Sequence, residues 1–249
     1  MTRVGILYPG HSAEDDYRTF AEALGGEVEL PLVHTLMRED AHRVDALLDV
    51  GSEGVLAKGA QELTAMRVDS AVWACTSGSF VFGWEGARRQ VEGVREVTGV
   101  PSSSTSFAFV HALSQLRASR VAIAATYPDD VALRFVEFLT DAGVTVMSMA
   151  SHGIATAAEV GHLDPDEALD FVISNDHPRA EAVLVPDTAL HSADLIEPME
   201  ALLGKTVLTA NQVSVWEGLR LAGQCGARSG PGTLFRSGAS VVRSAFESG

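Results

Sequence analysis

The sequence predicts an α/β protein made of two similar halves, each a doubly wound, Rossmann-like parallel sheet with helices on both faces. Short apolar runs of strand type alternate with helical patterns, which is typical of parallel strands joined by right-handed crossovers. The same order of elements starts again near residue 118, with matching features about 110 residues apart. The chain of 249 residues, 46% of them hydrophobic, is long enough to bury a sizeable core. We expect two pseudo-symmetric halves with a cleft between them.

The first half begins with an apolar strand that ends at a Pro-Gly pair. Ser12 follows this turn, and three acidic residues come next, which predicts a helix with Ser12 as its N-cap. The strands are predicted at 3–9, 27–33, 71–74 and 99–101. The helices are predicted at 13–24, at 39–66 in two pieces broken by the glycines of 51–54, at about 80–98, and after 102–106.

The second half repeats this pattern. The stretch 120–128 resembles 3–9, 182–188 resembles 72–76, and 204–212 resembles 99–105. Asp164, Pro165 and Glu167 form an N-cap pattern that predicts a helix start. The predicted units are residues 1–117, residues 118–221, and a C-terminal segment of residues 222–249 that packs back on the first half.

Composition excludes several classes of function. The net charge of −15 argues against nucleic acid and anionic membranes as partners. The sequence contains neither a run of 18 apolar residues nor a secretory signal, so we expect a cytoplasmic protein. The two cysteines lie far apart, which argues against a disulfide framework, and no zinc-ligand spacing or dinucleotide fingerprint occurs. We therefore expect neither a metal nor a cofactor.

The candidate site consists of two strand ends that match each other in the two halves. The strand at 71–74 ends at Cys75, Thr76 and Ser77, and the strand at 182–185 ends near Asp187 and Thr188. Ligands of such sheets bind at the carboxyl ends of strands, so both ends are predicted to face one ligand. Backbone N–H groups and a helix start would lower the pKa of the Cys75 thiol. Helix capping is the alternative role for Asp187 and the hydroxyl residues.

These motifs together resemble the aspartate/glutamate racemase superfamily, in particular the branch with maleate cis-trans isomerase and arylmalonate decarboxylase. The resemblance extends over about residues 3–220 and depends on the order and spacing of short motifs. The matching stretches are residues 9–12, 74–76, 125–127, 186–188 and 209–212.

The resemblance implies cofactor-free chemistry at the carbon next to a carboxylate, with two acid/base or nucleophilic groups on opposite faces of the substrate. The isomerases use a cysteine in each half, and the decarboxylases keep only the second. This sequence has Cys75 in the first half and Asp187 in place of the second cysteine. The asparagine that the isomerases have near Ser12 is also missing.

Three further binding residues are predicted. The resemblance implies that Tyr127 binds a substrate carboxylate. Asn211 begins a helix at a strand end that faces the site, where helix capping is the alternative, and His11 is an additional candidate in a first loop that differs from that of the relatives. A homodimer is carried over from the relatives in the same way.

The main hypothesis is a cofactor-independent isomerase, of cis-trans or racemase type, that acts on a small carboxylate or dicarboxylate. Cys75 would attack or deprotonate carbon on one face, and Asp187 would deliver the proton on the other. An arylmalonate-type decarboxylase is one alternative, and a non-catalytic binder of small acids is another. A cysteine hydrolase is disfavoured, because no histidine in the sequence pairs clearly with Cys75.

Overall fold

Two parallel sheets, the first of five strands and the second of four, form the frame of the computed structural model, which describes residues 1–238. The first sheet contains β1 (Thr2–Pro9), β2 (Val28–Glu29), β3 (Leu32–Thr35), β4 (Ser70–Trp73) and β5 (Ser102–Ser104). The second contains β6 (Arg120–Ala125), β7 (Thr145–Ser151), β8 (Ala182–Val185) and β9 (Thr206–Thr209). The strand orders are β2-β1-β4-β5, with β3 also paired to β1, and β7-β6-β8-β9. The predicted fold of two matching α/β halves is confirmed.

The helices of the first half are α1 (Asp16–Ala23), α2 (Val44–Val50), α3 (Glu53–Thr64), α4 (Ser77–Phe80), α5 (Gly83–Thr98) and α6 (Thr105–Leu116). Those that follow are α7 (Asp129–Asp141), α8 (Ala157–Gly161), α9 (Pro165–Ser174), α10 (Ile196–Leu203), α11 (Ala210–Leu221) and α12 (Thr233–Arg236). Within residues 1–238, every helix falls short of the length and apolarity needed to cross a bilayer.

Several predicted boundaries are wrong. The fourth strand is predicted at 99–101 and lies at Ser102–Ser104. The strand predicted at 27–33 consists of two short strands, because Pro31 has no N–H to donate to the ladder and only its carbonyl is used, by the Ile6 N–H at 2.8 Å. The first helix begins at Asp16 rather than after Ser12, and Asp15 is its N-cap residue. By contrast, Asp164 caps α9 as predicted, accepting from the N–H groups of Asp166 and Glu167.

Helix α11 follows the second sheet in sequence but packs over the first. Ten consecutive residues, from Ala210 to Leu219, are buried. Ser70 of β4 donates to the Gly218 carbonyl at 2.7 Å, and the hydroxyls of Thr105 and Ser214 lie 2.6 Å apart. The helix therefore joins the two halves into one hydrophobic core that includes residues of both sheets.

Gly218 allows this close approach, since a Cβ at that position would lie 2.1 Å from Cγ1 of the buried Val4. We expect Gly218→Ala to lower the free energy of unfolding by about 1–3 kcal/mol through overpacking, measured by urea denaturation. Gly93→Ala in α5 is the matched control, because no other atom lies within 4 Å of its added methyl. That control should be neutral or stabilising, and equal effects of the two variants would contradict the packing argument.

The C-terminal segment contacts both halves where it is described. The Phe235 ring lies 6.3 Å from that of Phe20 in the first half, while Thr233 and Arg236 bond to Glu200 of α10. Residues 239–249 of the predicted segment lie outside the described residues. The predicted boundary between 117 and 118 falls in the turn between α6 and β6, and the division into units stays a prediction.

Candidate active site

The carboxyl ends of β1, β3, β4 and β8 surround a pocket between the two sheets. Cys75 follows the end of β4 by two residues, and Asp187 follows the end of β8 by two residues. These strands occupy equivalent positions, since each lies next to the first strand of its own sheet. Both side chains line the pocket, whose volume is about 410 Å³ including the part open to solvent. The thiol and the carboxyl thus reach one cavity from two different sheets.

Cys75 is a buried thiol, 5% exposed, at the start of the short helix α4. The Gly78 N–H donates to its Sγ at 3.2 Å, and the Ser77 Oγ lies 3.9 Å away. Burial nevertheless raises the pKa of this thiol to about 12, with a further contribution from the charge of Asp187. The predicted lowering of this pKa is wrong, because α4 has only four residues and desolvation outweighs the two hydrogen bonds. Cys75 is therefore a neutral thiol at pH 7.

Asp187 is 4% exposed and its two oxygens are held by different neighbours. Oδ1 accepts from the Ala189 N–H at 2.9 Å, and Oδ2 accepts from the Thr126 hydroxyl. The Ala189 bond is local, but the Thr126 bond comes from the end of β6. Asp187 thus lies in a short loop rather than at a helix start, since α10 begins only at Ile196.

Two tyrosines at matching strand ends hold the backbone on either side of Asp187. The Tyr127 hydroxyl donates to the Pro186 carbonyl at 2.6 Å, and the Tyr8 hydroxyl donates to the Thr188 carbonyl at 2.9 Å. Each tyrosine precedes a proline at or just beyond the end of the first strand of its half. This pair of hydrogen bonds fixes the loop that carries Asp187.

The predicted binding residues fall into two groups. Ser12, Ser77 and Thr188 line the pocket together with the thiol and the carboxyl. Ser12 shares a 2.7 Å hydrogen bond with the Tyr8 hydroxyl, which explains why it is not free to cap α1. Thr76 is fully buried, and its Oγ1 is without a hydrogen-bond partner among the described residues.

Tyr127 and Asn211 are not among the residues that line the pocket. The Tyr127 hydroxyl already donates its hydrogen bond to the Pro186 carbonyl. The Asn211 amide donates to Asp16 at 3.0 Å and accepts from Tyr17 at 3.1 Å, and α11 is capped by Thr209. Both residues position the loops of the site in this structure, and a direct substrate contact of either stays a prediction.

His11 lies outside the pocket lining, exposed on the rim of the first loop. Its Nδ1 is 3.1 Å from Glu14 Oε1, and its ring lies 3.9 Å from the His34 ring. The ligand atoms of these three residues lie within 4.8 Å of one another, a spacing that a divalent metal ion can bridge. The sequence did not indicate this group, because His34 belongs to another strand.

Sequence reasoning missed His42, which lines the same pocket from the loop between β3 and α2. It is 6% exposed, and its Nε2 lies 3.9 Å from Asp187 Oδ2. The loop is attached to the second half by Asp40, whose oxygens accept from the N–H groups of Ala157 and Ala158 at 2.7 and 2.9 Å. A loop that crosses between halves has no local sequence signature. Only its position after a strand of the first sheet could have suggested it.

A second depression, of about 740 Å³, lies at the opposite end of β1 near Thr2, Val28 and Arg228. It is larger but more open, and neither Cys75 nor Asp187 contributes to its lining. The smaller pocket is the candidate site because Cys75 and Asp187 line it.

The fold and the pocket define a protein of two matched parallel-sheet halves, with one thiol and one carboxyl facing a shared cavity. The family model of arylmalonate decarboxylase matches residues 45–235. The chain therefore belongs to the arylmalonate decarboxylase family.

Three similar proteins give this family its context. Arylmalonate decarboxylase from Bordetella bronchiseptica is 31% identical over 57% of this chain and 60% of its own length. Maleate isomerase from Geobacillus stearothermophilus is 26% identical over 64% of this chain and 66% of its own length. Each match thus spans somewhat less than two thirds of the curated relative. Maleate cis-trans isomerase from Nocardia farcinica, solved as a cysteine-to-serine mutant with a covalently bound succinylcysteine intermediate, has the same fold. Its TM-score is 0.86 at 23% identity, over 96% of this chain and 99% of that chain.

Proposed function

We propose that this protein is a cofactor-independent isomerase, of cis-trans or racemase type, that acts on a small carboxylate or dicarboxylate. The observation that supports this most is that Cys75 and Asp187, which follow strands of two different sheets, line the same pocket. Two groups of this kind can act on opposite faces of one carbon, as inversion or cis-trans exchange requires. The covalent cysteine intermediate of the Nocardia isomerase supports addition by a thiol within this fold.

In a cis-trans reaction, the S–H group of Cys75 adds across the C=C bond. A bond forms from Sγ to one carbon, and the neighbouring carbon takes a proton from the Asp187 side. The proton lost by the thiol then replaces the proton that the Asp187 side has donated. After rotation about the resulting single bond, the Asp187 side takes a proton back from the neighbouring carbon, the C–S bond breaks, and the sulfur recovers its proton, which completes the isomerisation. Ser12, Ser77 and the backbone N–H groups of the two loops would hold the carboxylates and stabilise the enolate-like intermediate.

Decarboxylation of a malonate-type acid is the second candidate, favoured by two observations. A thiol whose pKa is raised to about 12 by burial is a proton donor rather than a nucleophile at rest. The pocket lining also includes the apolar residues Pro9, Met37, Leu47 and Val50. Apolar surroundings destabilise a carboxylate and favour loss of CO₂. In that reaction the C–C bond breaks, CO₂ leaves, and the enolate takes the proton of Cys75.

Proton NMR in D₂O distinguishes these reactions. The purified protein and Cys75→Ser are incubated with maleate, aspartate, glutamate, hydantoins and substituted malonates. We expect conversion to an isomer, or exchange of an α-hydrogen, that the variant lacks. Loss of CO₂ with deuterium uptake would favour the decarboxylase instead. Saturable binding without reaction, equal in both proteins, would contradict both enzyme proposals and favour a binder of small acids.

The proposal also includes where the protein is located and what it binds. A cytoplasmic location, a homodimer and the absence of a nucleic-acid partner stay predictions. The contribution of Asp187 as the second acid/base group is also part of the proposal.

A further inference from the structure

The imidazole of His42 is held in one orientation by its neighbours. Its Nδ1 lies 2.9 Å from the Ile154 carbonyl, and its backbone N–H donates to the Ala155 carbonyl at 2.7 Å. A carbonyl oxygen only accepts hydrogen bonds, so Nδ1 carries a hydrogen. The Tyr127 ring packs edge-on against the imidazole, with the ring centres 5.0 Å apart. The remaining nitrogen, Nε2, is thereby directed at Asp187.

The facing oxygen of Asp187 lies 3.9 Å from this nitrogen, and both side chains are almost completely buried. A buried carboxylate is costly without a compensating charge or donor. Thr126 and Ala189 supply neutral donors, and among residues 1–238 the basic side chain at this distance from Asp187 is that of His42. A closure of about 1 Å would bring the two groups to the usual N–H···O⁻ distance.

The electrostatics of the pocket point the same way. Among its lining residues there is no lysine or arginine, while Glu39 and Asp40 add two further carboxylates beside Asp187. The other titratable groups of the lining, Cys75 and Tyr8, have pKa values raised by burial and are neutral. Glu39 is already paired with Arg43 at 2.9 Å on the exposed rim. Among the described lining residues, a carboxylate substrate would therefore meet the acids Asp40 and Asp187, with His42 as the one side chain able to become cationic.

We propose that His42 and Asp187 form one proton-holding pair, in which protonated His42 is the counter-ion of Asp187 and supplies the proton delivered to the substrate on that face. The Nε2–H bond breaks, its electron pair stays on nitrogen, and the proton passes through Asp187 to form the new C–H bond. The thiol proton, or the proton removed in the reverse direction, restores the pair. His42 acts through Asp187 and is a positioning residue. This inference rests on the proposed function for its catalytic part, but not for the protonation of the pair.

The pair explains how an aspartate can occupy the position where the isomerases of this fold are expected to have a second cysteine. A buried cysteine carries its own proton at neutral pH, whereas an ionised carboxylate does not. A neighbouring imidazolium gives the carboxylate a proton to pass on. It also offsets the charge that would otherwise repel an anionic substrate.

The protonation of the pair is tested first, by ¹⁵N NMR of histidine-labelled protein at pH 7. The His42 signals are assigned by their loss in His42→Gln, whose amide can still donate to Ile154. We expect both ring nitrogens of His42 to carry hydrogen in the wild type. In Asp187→Asn, the Nε2 signal should move to the position of an unprotonated nitrogen. An unprotonated Nε2 in the wild type, or a spectrum unchanged by Asp187→Asn, would overturn the proposal.

The catalytic part is tested with the substrate found in the D₂O experiment. We expect His42→Gln and Asp187→Asn each to lower kcat about 100-fold with little change in KM, and the double variant to be no worse than Asp187→Asn alone. Additive losses would show that the two residues act separately and would overturn the relay. His152→Gln is the matched control, because its Nε2 faces Glu167 at 3.4 Å outside the pocket. If no acid reacts, the proposed function fails, while the ¹⁵N spectra still decide the pair.

Discussion

Replacement of Cys75 by serine is expected to lower kcat at least 1,000-fold on the substrate identified in D₂O, with KM changed less than about threefold. The reason is chemical rather than structural. Serine fits the same space and can accept the Gly78 N–H that now bonds to Sγ. Its hydroxyl, however, is a much weaker nucleophile and proton donor than a thiol. Steady-state kinetics, with circular dichroism to confirm folding, measures this effect.

Cys225→Ser is the matched control, because it removes the second cysteine of the chain at a position outside the pocket. Its thiol is only part-buried and lies 3.9 Å from the Arg220 carbonyl. This variant should keep the wild-type rate within about twofold. A Cys75→Ser protein with more than a tenth of wild-type activity would show that the essential chemical step depends on groups on the Asp187 side and not on the thiol.

The repeated fold and the two chemistry-bearing strand ends could be predicted because each depends on a local pattern. The runs that end at Cys75 and Asp187 have the composition of buried strands, and their equivalent spacing reveals the duplication. Parallel sheets bring such ends to one edge whatever the details of packing. The pocket shared by Cys75 and Asp187 follows from this topology.

His42 and the pKa of Cys75 could not be predicted, because both depend on tertiary packing. The sequence shows a thiol before a helical stretch, but not that α4 ends after four residues and that the thiol is buried. The orientation of the Asn211 side chain also depends on tertiary packing, and its role in binding stays a prediction. Its strand end faces the site, but its side chain turns toward Asp16 and Tyr17. The sequence disfavours a cysteine hydrolase because no histidine in it pairs clearly with Cys75. His42 does enter the pocket, yet its ring nitrogens face Ile154 and Asp187 rather than the thiol.

Raising the pH is expected to destabilise the protein steeply above about pH 10 and to unfold it cooperatively at about pH 11 or above, without prior ionisation of any tyrosine. The chain has three tyrosines, Tyr8, Tyr17 and Tyr127, and all are buried. Desolvation raises the pKa of each above its ordinary value of 10.0, and that of Cys75 from 9.0 to about 12. The native state therefore binds more protons than the unfolded state above pH 9, so stability falls as pH rises.

The size of this effect can be compared with the stability of an ordinary domain. Each group loses about 1.4 kcal/mol per pH unit above its unfolded pKa, so the four groups together cost on the order of 7 kcal/mol by pH 11. That is comparable with the whole free energy of unfolding of a typical protein, about 5–15 kcal/mol. Absorbance at 295 nm should stay flat and then rise in one step that coincides with loss of circular dichroism. The same titration in concentrated urea is the control, in which all three tyrosines should ionise near pH 10. A gradual rise centred at pH 10 in the folded protein would show that the tyrosine hydroxyls on either side of Asp187 are exposed to water. It would contradict the two hydrogen bonds by which Tyr8 and Tyr127 hold that loop.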